Sequence, residues 1–202
     1  IANPEFADVR SLEGVAPTKN KCVPIIAVPT TAGTAAEVTI NYVITDVQNN
    51  RKMVCVDVHD IPVVAVVDPD MMATMPKGLT AATGMDALTH AVEAYIGRST
   101  TKETRRLALE ATTLIFENIE DAYQNGYDHE ARENMLHAAY KAGVAFSKSY
   151  VGYIHAVAHS LGGRYGTPHG LANAVIMPYV LESYGESAYK KLHKLGVAAR
   201  VC

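Results

Sequence analysis

Two hydrophobic periodicities divide the chain near residue 70. Before that point apolar residues run continuously or alternate in short β-branched blocks over residues 22–29, 38–45, 52–58 and 61–68. Turn residues such as Gln48-Asn49-Asn50 and His59-Asp60 separate them, a pattern that predicts strands. Residues 61–67 are apolar on both alternations, which predicts a strand covered on both faces. After Asp70 apolar positions recur every three to four residues. That spacing predicts helices over 79–96, 102–123, 130–147, 153–161, 172–184 and 188–201, divided by Gly97, Asn125-Gly126 and Gly162-Gly163. The expected organisation is an α/β segment over 1–72 and an all-helical segment over 73–202. A cleft between two such units is a common place for a ligand.

Composition narrows the partners. The chain has 202 residues, of which 49% are hydrophobic, enough for a buried core. Its formal net charge is −3, and the only basic cluster is Lys190, Lys191, Lys194 and Arg200, spaced like the solvated face of a helix. Neither supports nucleic-acid binding. Cys22, Cys55 and Cys202 are odd in number, far apart and without CxxC spacing, which argues for a reducing compartment rather than a disulfide framework. No apolar run is long enough to cross a bilayer, so a cytoplasmic protein is expected. The chain opens on Ile1 and stops at Cys202 directly after a helical pattern, so the expectation is the middle part of a longer protein, cut at both ends.

Two short blocks carry the chemistry. Asp86 and His90 are four apart, as are His155 and His159, so on helices each pair shares a face. His169 follows in Thr167-Pro168-His169-Gly170, a loop stiffened by proline and tightened by glycine. Alone, an Asp-x-x-x-His pair is more often a local hydrogen-bonding pair than a site. Here the surrounding residues are apolar (Ala82, Met85, Leu88 and Ala91; Ile154, Val157, Ala158 and Leu161), so these polar groups are expected to be buried. A shared cation satisfies buried polar groups together. A carboxylate with imidazoles suits Fe2+ or Zn2+ better than Ca2+ or Mg2+. His59, His129, His137 and His193 lack such neighbours and read as ordinary histidines.

A second constellation, Val28-Pro29-Thr30-Thr31-Ala32-Gly33-Thr34-Ala35-Ala36-Glu37, follows an apolar strand. Its hydroxyls and backbone N–H groups suit a phosphate or a nucleotide sugar. It is neither a GxGxxG nor a P-loop, and by itself is as well explained as an ordinary turn. Lys52 could lend charge to the same ligand.

The strings PTTAGTAAEVT, DPDMMATMP, GMDALTHAVEAY and GYIHAVAHSLGGRYGTPHGLANAV resemble the iron-containing (group III) alcohol dehydrogenases over essentially the whole chain. NPEFADVRSLEG with PTTAGTAAEVTINYVITD is similar to the lactaldehyde reductase (1,2-propanediol oxidoreductase) branch. The resemblance implies a dehydroquinate synthase-like architecture, in which the end of a Rossmann-like dinucleotide-binding domain precedes a helical metal-binding domain. It implies metal ligands at Asp86, His90, His155 and His169, with Fe2+ as the ion and Zn2+ as the alternative. His159 becomes a catalytic residue beside nicotinamide and substrate. Cofactor contacts are implied at Thr30, Thr31, Gly33, Thr34, Asn41 and Lys52, with NAD expected and NADP an alternative. The implied activity is hydride transfer between a small primary alcohol or diol and the nicotinamide, in a homodimer. The family's glycine-rich pyrophosphate loop is absent from these residues. Rival expectations are a butanol- or ethanol-type dehydrogenase, a dehydroquinate synthase-like lyase, and an inert metal-holding helical module. The lyase is disfavoured because few basic residues flank the metal blocks, Arg164 being the nearest.

Overall fold

A computed structural model describes residues 2–15 and 18–202. Its first part holds short strands: β1 (Gly14–Val15), β2 (Ile26–Ala27), β3 (Asn41–Asp46), β4 (Arg51–Val56) and β5 (Val64–Ala65). β3 and β4 form an antiparallel hairpin with Asn41 opposite Val56 and Asp46 opposite Arg51. The hairpin turn is built by Asp46, whose carboxylate accepts from the backbone N–H of Gln48 and Asn49 and from Asn49 Nδ2. Such side-chain bonds to the following backbone are what make aspartate a turn former. β1 adds to β4 in parallel, and β2 pairs with β5 in a separate parallel ribbon.

Six helices follow: α1 (Lys77–Ile96), α2 (Lys102–Gln124), α3 (His129–Ser149), α4 (Tyr153–Tyr165), α5 (His169–Tyr184) and α6 (Glu186–Ala198). α2 starts in a reciprocal Thr101–Thr104 capping box, and Asp128 caps α3 by accepting from Ala131 N. At the other end of α1, Lys191 Nζ donates to the carbonyls of Ile96 and Gly97, a cation on a helix C-terminus. The core gathers where α1, α2 and α3 meet, and alanines dominate it: Ala87, Ala91, Ala94, Ala108, Ala111, Ala138, Ala142 and Ala145 are fully buried. Small residues there let the helices pack closely. Arg132 on α3 is buried and ties the start of α1 into this core, donating to Thr80 Oγ1, Met75 O and Gly126 O.

Four expectations are corrected. The blocks 22–29 and 61–68 yield only the two-residue strands β2 and β5. Nor is 61–67 covered on both faces: Val63 is 67% exposed and its neighbour Val64, on the opposite alternation, 48%. Among the described residues the ribbon pairs with no further strand, while the helices pack mainly on one another. Among the helices, α4 runs through Gly162-Gly163 to Tyr165 instead of ending at 161. There α4 crosses the sheet so closely that a Cβ on Gly163 would lie 2.8 Å from Arg51 Cα. Gly163 marks a close approach rather than a helix stop. α5 likewise begins at His169, three residues before the expected start.

Candidate metal centre

α1 carries Asp86, His90 and Glu93 at spacings of four and three, so one buried face presents all three. His155 projects from the first turn of α4, and His169 is the first residue of α5 rather than part of a loop. Gly170 brings these helices together, because any Cβ there would collide with the backbone of Ala82.

The donors converge. His155 Nε2 and His169 Nε2 lie 3.5 and 3.3 Å from Asp86 Oδ1, and His90 Nε2 lies 4.0 Å from it. Donor atoms of Asp86, His90 and His155 fall within 4.8 Å of one another, and all three residues are buried. The His90 ring stacks between Phe146, at 4.1 Å between centroids, and His155, at 4.5 Å, which fixes its plane.

Electrostatics suits a cation. Burial works against the Asp86 charge, but attraction to His90 and hydrogen bonds with His155 and His169 outweigh it, holding its pKa well below the ordinary 3.8. Burial lowers His90 to about 4, against the pull of Asp86, so this ring is neutral and offers a lone pair. Burial also disfavours charge on His155, yet hydrogen bonding to Asp86 and Glu93 lifts it to about 9. Metal binding at such a nitrogen displaces the proton. The Asp86 oxygen and the mutually close His90 and His155 nitrogens, with His169 Nε2 3.3 Å from the same oxygen, fit a borderline divalent ion such as Fe2+ or Zn2+.

Two further residues complete the arrangement, and neither was singled out by spacing. Glu93 Oε2 accepts from His155 Nδ1 at 2.6 Å, while Oε1 accepts from Ile154 N at 2.8 Å. Asn173 Nδ2 donates to Asp86 Oδ1 at 2.7 Å. The signal for both was present but local: Glu93 lies three residues beyond His90, and Asn173 four beyond His169, on the same helix faces as those histidines.

A cleft of about 570 Å³ opens beside the donors and is shared by both parts of the chain. Thr34, Asn41 and Lys52 line it from the α/β side, facing His90, His155 and His169. Lys52 Nζ donates to Thr45 Oγ1 at 2.5 Å. Thr30, Thr31 and Gly33 do not line it. Gly33 instead lets its loop lie against α1, where a Cβ would meet Thr83 O at 2.6 Å. Thr30 is exposed and Thr31 half-buried.

His159, one turn beyond His155, also faces the cleft. Its ring stacks at 5.0 Å on His169 and lies 6.1 Å from His155. Burial, assisted by the neighbouring His169 and His155, lowers its pKa to about 4. Phe146, Tyr150 and Val151 form the cleft's other wall. Tyr150 ends α3 at φ 65° and ψ 172°, a region otherwise used almost solely by glycine.

Comparison with known proteins identifies this scaffold. Residues 80–202 match the Fe-containing alcohol dehydrogenase family, C-terminal, and residues 2–69 match the iron-containing alcohol dehydrogenases. The chain belongs to the iron-containing alcohol dehydrogenase family. It is 55% identical to lactaldehyde reductase of Escherichia coli (strain K12) over 179 residues, 89% of this chain and 46% of that protein. A crystal structure of a 1,3-propanediol oxidoreductase superposes with a TM-score of 0.83 at 39% identity, covering 95% of this chain and 57% of the other. A sulfoacetaldehyde reductase from Bifidobacterium kashiwanohense, solved in complex with NAD+, superposes with a TM-score of 0.80 at 30% identity, covering 91% of this chain and 54% of the other. The chain thus spans about half the length of the relatives it matches.

Proposed function

We propose that the protein is a metal-dependent oxidoreductase that transfers a hydride between a small primary alcohol or diol and a nicotinamide cofactor. The observation that carries this reading is the convergence of Asp86, His90, His155 and His169 at the wall of a cleft that also receives Thr34, Asn41 and Lys52. These four side chains would hold Fe2+, or Zn2+ in its place. When bound, the ion supplies Lewis acidity toward an alcohol or carbonyl oxygen.

The chain's own residues do the rest. Asp86 contributes the one negative charge among the donors, and Glu93 holds the His155 ring in place from behind. Phe146, stacked on His90, gives the cleft an apolar wall that limits water near the reacting carbon. His159 is neutral, so a ring nitrogen can accept the proton of an alcohol hydroxyl and return it in the reverse direction. Thr34, Asn41 and Lys52 face the donors across the cleft, where a nicotinamide would bring its hydride-carrying carbon to the substrate. In this reading residues 1–72 belong to a dinucleotide-binding unit and 73–202 to the metal-holding unit.

The similarity to lactaldehyde reductase and to 1,3-propanediol oxidoreductase supports a short diol as substrate, and the NAD+ complex of the sulfoacetaldehyde reductase supports NAD as cofactor. The test is nicotinamide absorbance with 1,2-propanediol, using the protein prepared anaerobically with Fe2+. Net formation of the reduced cofactor is expected. Metal-replete protein that reduces no cofactor with any small primary alcohol contradicts the proposal.

A further inference from the structure

We infer that Asn173 is a positioning residue for the metal centre, holding Asp86 Oδ1 where the imidazoles converge; this rests on the metal-site reading above. Asn173 is fully buried on α5, one turn beyond His169. Its Nδ2 donates to Asp86 Oδ1 at 2.7 Å and lies 3.3 Å from Nε2 of both His155 and His169. One amide therefore touches donors from α1, α4 and α5 at once.

The orientation of that amide is informative. Contact with the anionic Asp86 oxygen requires Nδ2 on that side, and this leaves Asn173 Oδ1 buried without a hydrogen-bond partner. An unsatisfied buried carbonyl is unfavourable, and a leucine of similar shape would fill the space without that penalty. The polar side chain is explained by what Nδ2 does. A carboxylate oxygen has lone pairs enough to accept an N–H and bind a cation together. An N–H bond to Asp86 Oδ1 removes the carboxylate's freedom to swing toward the nearer imidazoles. Partners of this kind behind a ligand set its orientation and affinity.

The test is Zn2+ affinity by chelator competition, together with the visible spectrum of the Co2+-loaded protein, for wild type, Asn173→Leu and Asn173→Ala. Loss of the N–H donor is expected to weaken Zn2+ binding about ten- to a hundred-fold and to alter the Co2+ bands. A role confined to packing would shift only the unfolding midpoint of the chelated protein. Should Asn173→Leu not fold, the smaller Asn173→Ala carries the comparison. Unchanged Zn2+ affinity and an unchanged Co2+ spectrum in a folded variant overturn the inference. Failure of the wild type to take up either ion overturns instead the metal-site reading on which it rests.

Discussion

Glu93 Oε2 stands 2.6 Å from His155 Nδ1, joining residues 62 apart in sequence on two different helices. Because a carboxylate only accepts, Nδ1 carries the hydrogen, and Nε2 is the atom turned toward Asp86. Glu93 also accepts from Ile154 N, so the same carboxylate anchors the first turn of α4. Burial opposes charge on Glu93, but the bond with His155 outweighs it and lowers its pKa from the ordinary 4.5.

Replacing Glu93 is therefore expected to act through His155. Glu93→Ala should weaken divalent-metal binding by about ten- to a hundred-fold, and Glu93→Gln less, since its amide oxygen still accepts from Nδ1. Chelator competition with Zn2+ measures both. Equal affinity in Glu93→Ala and wild type would show that the pair does not orient the ligand.

Gly170 sets the distance between α5 and α1. A methyl group there collides with the Ala82 backbone, so Gly170→Ala must push His169 away from Asp86. The expected cost is about 1–3 kcal/mol of stability, typical of overpacking, read by urea unfolding. Metal affinity should fall in parallel.

Tyr150 is held in a glycine-like backbone region at the cleft wall. Its phenol is largely exposed, so little packing offsets the strain. Tyr150→Gly should raise stability by about 1 kcal/mol, whereas Tyr150→Ala keeps the strain and should not. Thermal unfolding of the pair separates backbone strain from loss of the ring.

Glu37 supplies a pH signature. It is buried, its Oε1 lacks a hydrogen-bond partner, and burial raises its pKa above the ordinary 4.5. For a carboxyl whose folded pKa is the higher one, the unfolded chain releases its proton first. Stability therefore falls as pH rises from 4.5 through the folded pKa, above which the penalty is complete. Glu37→Gln should be more stable than wild type at pH 7 and lose that advantage below the ordinary value. An advantage independent of pH would assign the effect to packing.

Much of the helical part was legible, and the reasons are physical. Long periodic segments constrain a helix within itself, so α2 and α3 begin and end within two residues of the pattern's limits. Strands depend on partners the pattern does not name. The apolar blocks at 22–29 and 61–68 form only β2 and β5 because, among the described residues, each pairs with the other alone. Glycines misled where they serve a neighbouring element: Gly163 interrupts nothing in α4 and instead clears the backbone of Arg51. At the candidate centre, spacing placed Asp86 with His90 and His155 with His159, and the structure brings the first three together. The separation of His159 from the donor set came from family resemblance, and the structure gives it the cleft wall beside His169. Glu93 and Asn173 escaped notice because their partners are 62 and 87 residues away. Thr30, Thr31 and Gly33 sit in the same loop as Thr34, but only Thr34 lines the cleft.

Whether Asp86, His90, His155 and His169 hold a metal is decided by elemental analysis of anaerobically prepared protein, comparing wild type with His155→Ala. One Fe2+ or Zn2+ per wild-type chain is expected, with none retained by folded His155→Ala after dialysis against chelator. Metal-free wild type after exposure to excess Fe2+ and Zn2+, or full metal content in the variant, would rule out a metal centre at these residues.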